Sequence, residues 1–205
     1  MEYLKKSFNK GISFLSAPSD AFEGENSTKF GDAFKYVLVL AIVTTVLSAI
    51  ISAFSMNFAN SFIPSLPPEA TAFTNPGFIF VSSLIMGYIG LVVGLLIGGL
   101  WIHLWVYIIG GRKGLEQTMK SVFYGGTPNY LLGWIPFINI LAGIWSLVLT
   151  WMGITRYQGL TGGKAALAII IALIIPIVIG GMIFVALLST LMALGMLQAG
   201  AIPGF

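Results

Sequence analysis

The chain reads as an all-α polytopic membrane protein with five transmembrane helices, a short broken hairpin formed by the third and fourth of them, and an N-terminal interfacial helix. Three observations predict this. Of its 205 residues 57% are hydrophobic and only 8% charged, far from the composition of a soluble domain, so the bilayer is its solvent. The apolar residues form runs long enough to cross a hydrocarbon core of about 30 Å. The 10 lysines and arginines lie before, between or after those runs, and only at alternate connections.

Residues 1–35 are expected to form a cytoplasmic segment. Met1, Leu4, Phe8, Ile12 and Leu15 recur at helical spacing, and Lys5, Lys6 and Lys10 fall largely off that stripe, as in a helix lying on a membrane surface. Such lysines favour anionic headgroups by roughly 1 kcal/mol each. Pro18 ends this helix, and 23–28 reads as a polar loop with Phe22 and Phe30 dipping toward the lipid interface. Because Asp20, Glu23 and Glu25 leave no continuous apolar core after the lysines, the segment is not read as a secretory signal.

The membrane domain is expected over 36–197. Its first span, 36–58, has Lys35 at its start and a face of small residues including Thr45, Ser48 and Ser52. A proline-rich loop carrying only Glu69 leads to the second span, 78–109, where Gly87, Gly90, Gly94 and Gly98 repeat at helical spacing. That GxxxG pattern marks a close-packing seam, expected to meet the small face of the first span, or else a second copy of the chain. Arg112, Lys113 and Lys120 then form a basic connection whose side chains reach headgroups.

Between Lys120 and Arg156 there is no acidic or basic side chain. One helix across that gap would run roughly 50 Å, so the segment must break. Pro128, and Gly133 with Pro136, supply the breaks and divide it into spans 118–134 and 135–157. The last span, 165–197, carries Pro176, Gly180 and Gly181 as kink points, and 198–205 is a tail. Five crossings put the basic connections on the cytoplasmic side, with the N-terminus, and the tail outside.

Several function classes are disfavoured. The basic residues form no stripe among aromatics, which argues against nucleic-acid binding. There is no cysteine and one histidine, so neither a thiol nucleophile nor a histidine metal cluster is available, and no cofactor is expected. All seven acids fall in tails or connections, leaving no intramembrane carboxylate pair for catalysis or ion coupling. Polar side chains remain at Tyr124, Thr127, Asn129 and Asn139, with His103 at the end of the second span. Two readings stay open: these groups satisfy the carbonyl that Pro128 releases, or they line a polar cavity for a lipid headgroup or other amphiphile.

Taken together, Tyr124, Pro128, Leu131, Leu132, Trp145, Leu149, Gly153 and the Gly163-Lys164-Ala165 run resemble the core of the Yip-one domain family, the Ypt/Rab-interacting membrane proteins. The Ala17-Pro18-Ser19-Asp20-Ala21-Phe22 opening is similar to its short, prokaryotic-type members. The resemblance implies five membrane helices with a cytoplasmic N-terminus and a non-enzymatic role in membrane organisation or as an adaptor, linked to trafficking-type partners. Its eukaryotic members are associated with prenylated Rab-type GTPases. This chain lacks their long cytosolic tail, which argues against small-GTPase binding, and no individual binding residue carries over. The expected partners are membrane lipids with anionic headgroups, a second copy, or another protein. The alternative is a transporter or lipid-handling channel. The location implied is the cell membrane in a prokaryote, or the endoplasmic reticulum or Golgi membrane in a eukaryote.

Overall fold

The computed structural model describes residues 2–61 and 74–200, and among these every regular element is an α-helix. The order is α1 (Glu2–Ser16), α2 (Pro18–Gly24), α3 (Phe30–Asn60), α4 (Pro76–Ile109), α5 (Leu115–Gly125), α6 (Thr127–Leu132), α7 (Ile138–Gln158) and α8 (Gly162–Gly200). The greater part of the proline-rich loop, with Glu69, and the tail from 201 onward lie outside the described residues. Among the described residues four helices, α3, α4, α7 and α8, are long and apolar enough to cross a membrane.

Local chemistry explains the helix ends. Pro76 starts α4 where its missing N–H costs nothing, and the Asn75 side chain accepts from Gly77 N at 2.8 Å. Gly110 closes α4 at φ 113° and Gly159 closes α7 at φ 67°, backbone that a side chain would strain. Between them, α5 and α6 are 11 and 6 residues long, each too short to cross alone. Their combined length is close to one thin pass, and α5 lies along α7.

Pro128 and Pro176 each free a carbonyl four residues earlier, and each of these carbonyls finds a donor. Pro128 frees Tyr124 O, which takes a 2.6 Å bond from Thr127 Oγ1. Pro176 frees Ala172 O, which takes a 2.8 Å bond from Trp101 Nε1 and so ties α8 to α4. Trp101→Phe should therefore cost about 1 kcal/mol, read as a lower melting midpoint in detergent. Trp105→Phe is the control, since Trp105 Nε1 is buried without a hydrogen-bond partner and the change forfeits no bond.

Helix α3 packs closely on α4, but not along the whole glycine row. A Cβ built at Gly87 would touch Thr45 Cγ2 at 3.7 Å, whereas at Gly90, Gly94 and Gly98 it would meet nothing within 4 Å. The expected seam is thus displaced: in α4 the tight approach falls at Gly99, pressed against Met119 of α5, because α4 is shared between α3 and α5. Ser48 and Ser52 are half-buried.

One core unites Phe14, Phe22, Tyr36, Leu40, Phe123, Tyr124, Leu149 and Tyr157, and a second joins Val106, Ile154, Leu160 and Ala168. The stretch of α8 from Pro176 to Met192 belongs to neither. From Pro176 to Met192 every residue is exposed.

Candidate functional site

The basic connections converge at one end of the bundle. Lys113 N donates to Gln158 Oε1 at 3.0 Å, Gln158 Nε2 donates to Gly114 O at 2.7 Å, and Arg156 pairs with Glu23 at 2.5 Å. The N-terminal segment docks on this end. Its helix α1 turns Ser7, Gly11 and Phe14 inward, and a Cβ at Gly11 would stand 3.0 Å from Leu131 Cδ1, so α1 lies directly on α6. Phe14 stacks on Tyr124 with ring centroids 4.8 Å apart and meets Phe22 edge-on at 4.9 Å. Phe22 in turn meets the Tyr157 ring at 5.7 Å, and Tyr157 OH donates to Phe22 O at 3.1 Å.

Glu25, just past α2, is the polar centre of the docked segment. Its carboxylate pairs with Lys10 at 2.7 Å and accepts from Thr28 Oγ1 at 2.7 Å and Tyr124 OH at 2.8 Å. Beside it the buried Lys120 ammonium donates to Asn26 O at 2.8 Å and sits 4.8 Å from the Tyr157 ring centroid. Two helices far apart in sequence, α1 and α5, are thereby latched to one loop.

Burial pushes the Glu25 carboxyl up, but the bonds from Lys10, Thr28 and Tyr124 and the Lys10 charge outweigh it and hold the group below its ordinary 4.5. With a folded value below the unfolded one, the latch contributes in full above about pH 4.5 and is lost as pH falls through the lowered value. Amide hydrogen exchange in α1 should stay slow at neutral pH and accelerate on acidification through that window.

A second network runs inward. Thr127 gives its one hydroxyl proton to Tyr124 O, so the 2.8 Å contact between Tyr36 OH and Thr127 Oγ1 has Tyr36 as donor. Thr44 Oγ1 closes the next free carbonyl, Tyr130 O, at 2.5 Å.

Of the five residues expected to share a cavity, the structure brings only Tyr124 and Thr127 together, and in a packed core. Asn129 is exposed, its backbone N–H reaching Ser146 Oγ at 3.3 Å, and Asn139 is exposed at the start of α7. His103 lies apart on α4, with Nδ1 2.9 Å from Thr118 Oγ1. On the short helix α6, Thr127 is buried and Asn129 exposed, so these two polar side chains point to different sides.

The surface cations also divide. Lys5, Lys6 and Lys113 are exposed. Arg112 folds back to bond Tyr107 O and lies 4.1 Å from the Tyr107 ring centroid, capping α4. Lys10, expected at the lipid surface, is instead paired inside the latch with its side chain 22% exposed. Phe22, expected to dip into lipid, is in the protein core.

A cavity of about 360 Å³ opens beside the latch, between α1 and the start of α3, with Lys6, Lys10, Glu25, Asp32, Tyr3 and Tyr36 in its wall. Among the described residues no group of three or more His, Cys, Asp or Glu is arranged to hold a metal.

The model of one protein family, the Yip1 domain, matches residues 12–186. No curated protein and no solved structure matches the chain.

Proposed function

The chain belongs to the Yip1 domain family of membrane proteins, and from that premise we propose that it is a non-enzymatic membrane organiser or adaptor that presents its basic end to partners. In this reading the chain crosses the membrane five times, with α5 and α6 together as the third, short pass. The N-terminus and the basic connections face the cytoplasm, in a cell membrane or, in a eukaryote, the endoplasmic reticulum or Golgi. No cofactor is required. Lys5, Lys6, Arg112 and Lys113 lie at the level of anionic headgroups and would add to membrane attraction.

The observation that supports an adaptor over a transporter is the fate of the intramembrane polar groups. Tyr36, Thr127, Thr44 and the two carbonyls near Pro128 use their hydrogen bonds on one another, in a region where α5 and α7 touch backbone to backbone. A permeation lane needs polar groups turned toward a void. These are turned toward each other.

The test has two arms. Reconstituted in liposomes, the protein should give neither solute flux nor lipid scrambling above protein-free vesicles. In native-lipid discs, crosslinking from lysine side chains at the basic end should recover a stoichiometric protein companion, either a second copy or another chain. Flux that Asn129→Ala abolishes while leaving assembly intact would establish the transporter instead.

A further inference from the structure

We propose that the cavity beside the Lys10–Glu25 latch binds a phosphoethanolamine group, the zwitterionic headgroup chemistry of phosphatidylethanolamine. The inference goes beyond the adaptor reading and does not depend on it. The wall carries two cations, Lys6 and Lys10, on α1, and two carboxylates, Glu25 and Asp32, from the loop and the start of α3. Against such a wall a net anion gains from the lysines and loses to the acids, and a net cation does the reverse. A ligand bearing both charges at matching separation gains from both.

Lys10 and Glu25 already neutralise each other at 2.7 Å. The groups with charge to offer a ligand are therefore Lys6, for the phosphodiester, and Asp32, for the amine. Asp32 meets Lys35 only at 3.6 Å, both side chains more than half exposed, a pairing of the kind worth little and readily exchanged. Ser7 and Thr28 hydroxyls add acceptors to the same wall. Acceptors of this kind reward a primary ammonium, which has N–H groups to donate, over a trimethylammonium, which has none.

The cavity volume, about 360 Å³, suits a headgroup with its glycerol rather than a single ion. Its place also fits. It lies on the flank of α1, whose Leu4, Phe8 and Ile12 remain exposed at 48%, 46% and 45% in the manner of a helix embedded at the headgroup boundary.

The full chain, purified in detergent, is titrated with phosphatidylethanolamine, phosphatidylcholine and phosphatidylglycerol of identical acyl chains, and bound lipid is read by native mass spectrometry. Phosphatidylethanolamine should be retained about tenfold more strongly than either, and the exposed-site double variant Lys6→Gln/Asp32→Asn should erase that preference. Lys164→Gln, which removes a charge at the same end but away from the cavity, should preserve it. Soluble glycerophosphoethanolamine separates the sources. Displacement of bound lipid shows that the headgroup alone carries recognition, and retention of the lipid shows that the acyl chains of the intact lipid are needed beside it. Equal retention of the three lipids, or an ethanolamine preference that survives in a double variant of unchanged elution and helicity, overturns the proposal.

Discussion

Gly125→Leu is expected to separate α5 from α7 and to cost about 3 kcal/mol or more, at or beyond the upper end of overpacking penalties. A Cβ at Gly125 would fall 2.7 Å from both N and Cα of Thr150, with Thr150 Oγ1 closer still. Backbone cannot swing aside as a side chain tip can, so the helices themselves must part. The same interface is pinched at Gly153, where a Cβ would lie 2.9 Å from Ser121 Cα and from the Phe22 ring. Parting the pair would therefore also loosen the docked N-terminal segment. The measurement is the fraction of monodisperse protein remaining after a temperature ramp in detergent. Gly94→Leu is the matched comparison, because nothing stands within 4 Å of its Cβ. Equal melting of the two variants would mean that α5 and α7 do not touch through their backbones.

Glu25→Ala is the second large effect expected, a loss of about 2 kcal/mol with release of α1. Removing one partner of a fully buried ion pair typically costs about 3–5 kcal/mol. Here the Lys10 and Glu25 side chains keep 22% and 18% of their exposure, so water recovers part of that. The alanine leaves behind a lysine against the Tyr36 and Tyr124 rings, and the Tyr124 and Thr28 hydroxyls without their acceptor. Hydrogen exchange should rise through α1 and leave α7 protected. Glu25→Gln should fall between alanine and the parent, since its amide oxygen still accepts from a hydroxyl but no longer balances Lys10.

How far the fold is legible in the residues depends on the range over which each signal acts. Hydropathy is local, and the long helices α3, α4, α7 and α8 overlie the apolar runs at 36–58, 78–109, 135–157 and 165–197. The break at Pro128 is local too, and the need to satisfy the carbonyl it frees points to a nearby threonine. The latch is not local. Glu25 and Tyr124 stand 99 residues apart, and nothing in the spacing around either one announces the other. Lys10 looks like every other lysine on α1 until Glu25 is opposite it. A clue did exist in Ser7, Gly11 and Phe14, two small residues and an aromatic on one helical face, the pattern of a surface that approaches another backbone closely. The glycine row of α4 misled for the opposite reason. Small residues permit contact but do not compel it, and three of the four face open space.

The exposed stretch of α8 from Pro176 to Met192 has a consequence for the membrane itself. A continuous helix of 39 residues would extend roughly 58 Å, about twice the depth of a hydrocarbon layer. With every residue from Pro176 to Met192 exposed, that stretch could lean until its apolar length matches the acyl chains around it, or thicken them locally. The near half of α8 is held by the Trp101 bond at Ala172 and by the packing of Ala165 and Ala168, so bilayers of different thickness would be expected to change the angle of the exposed part alone.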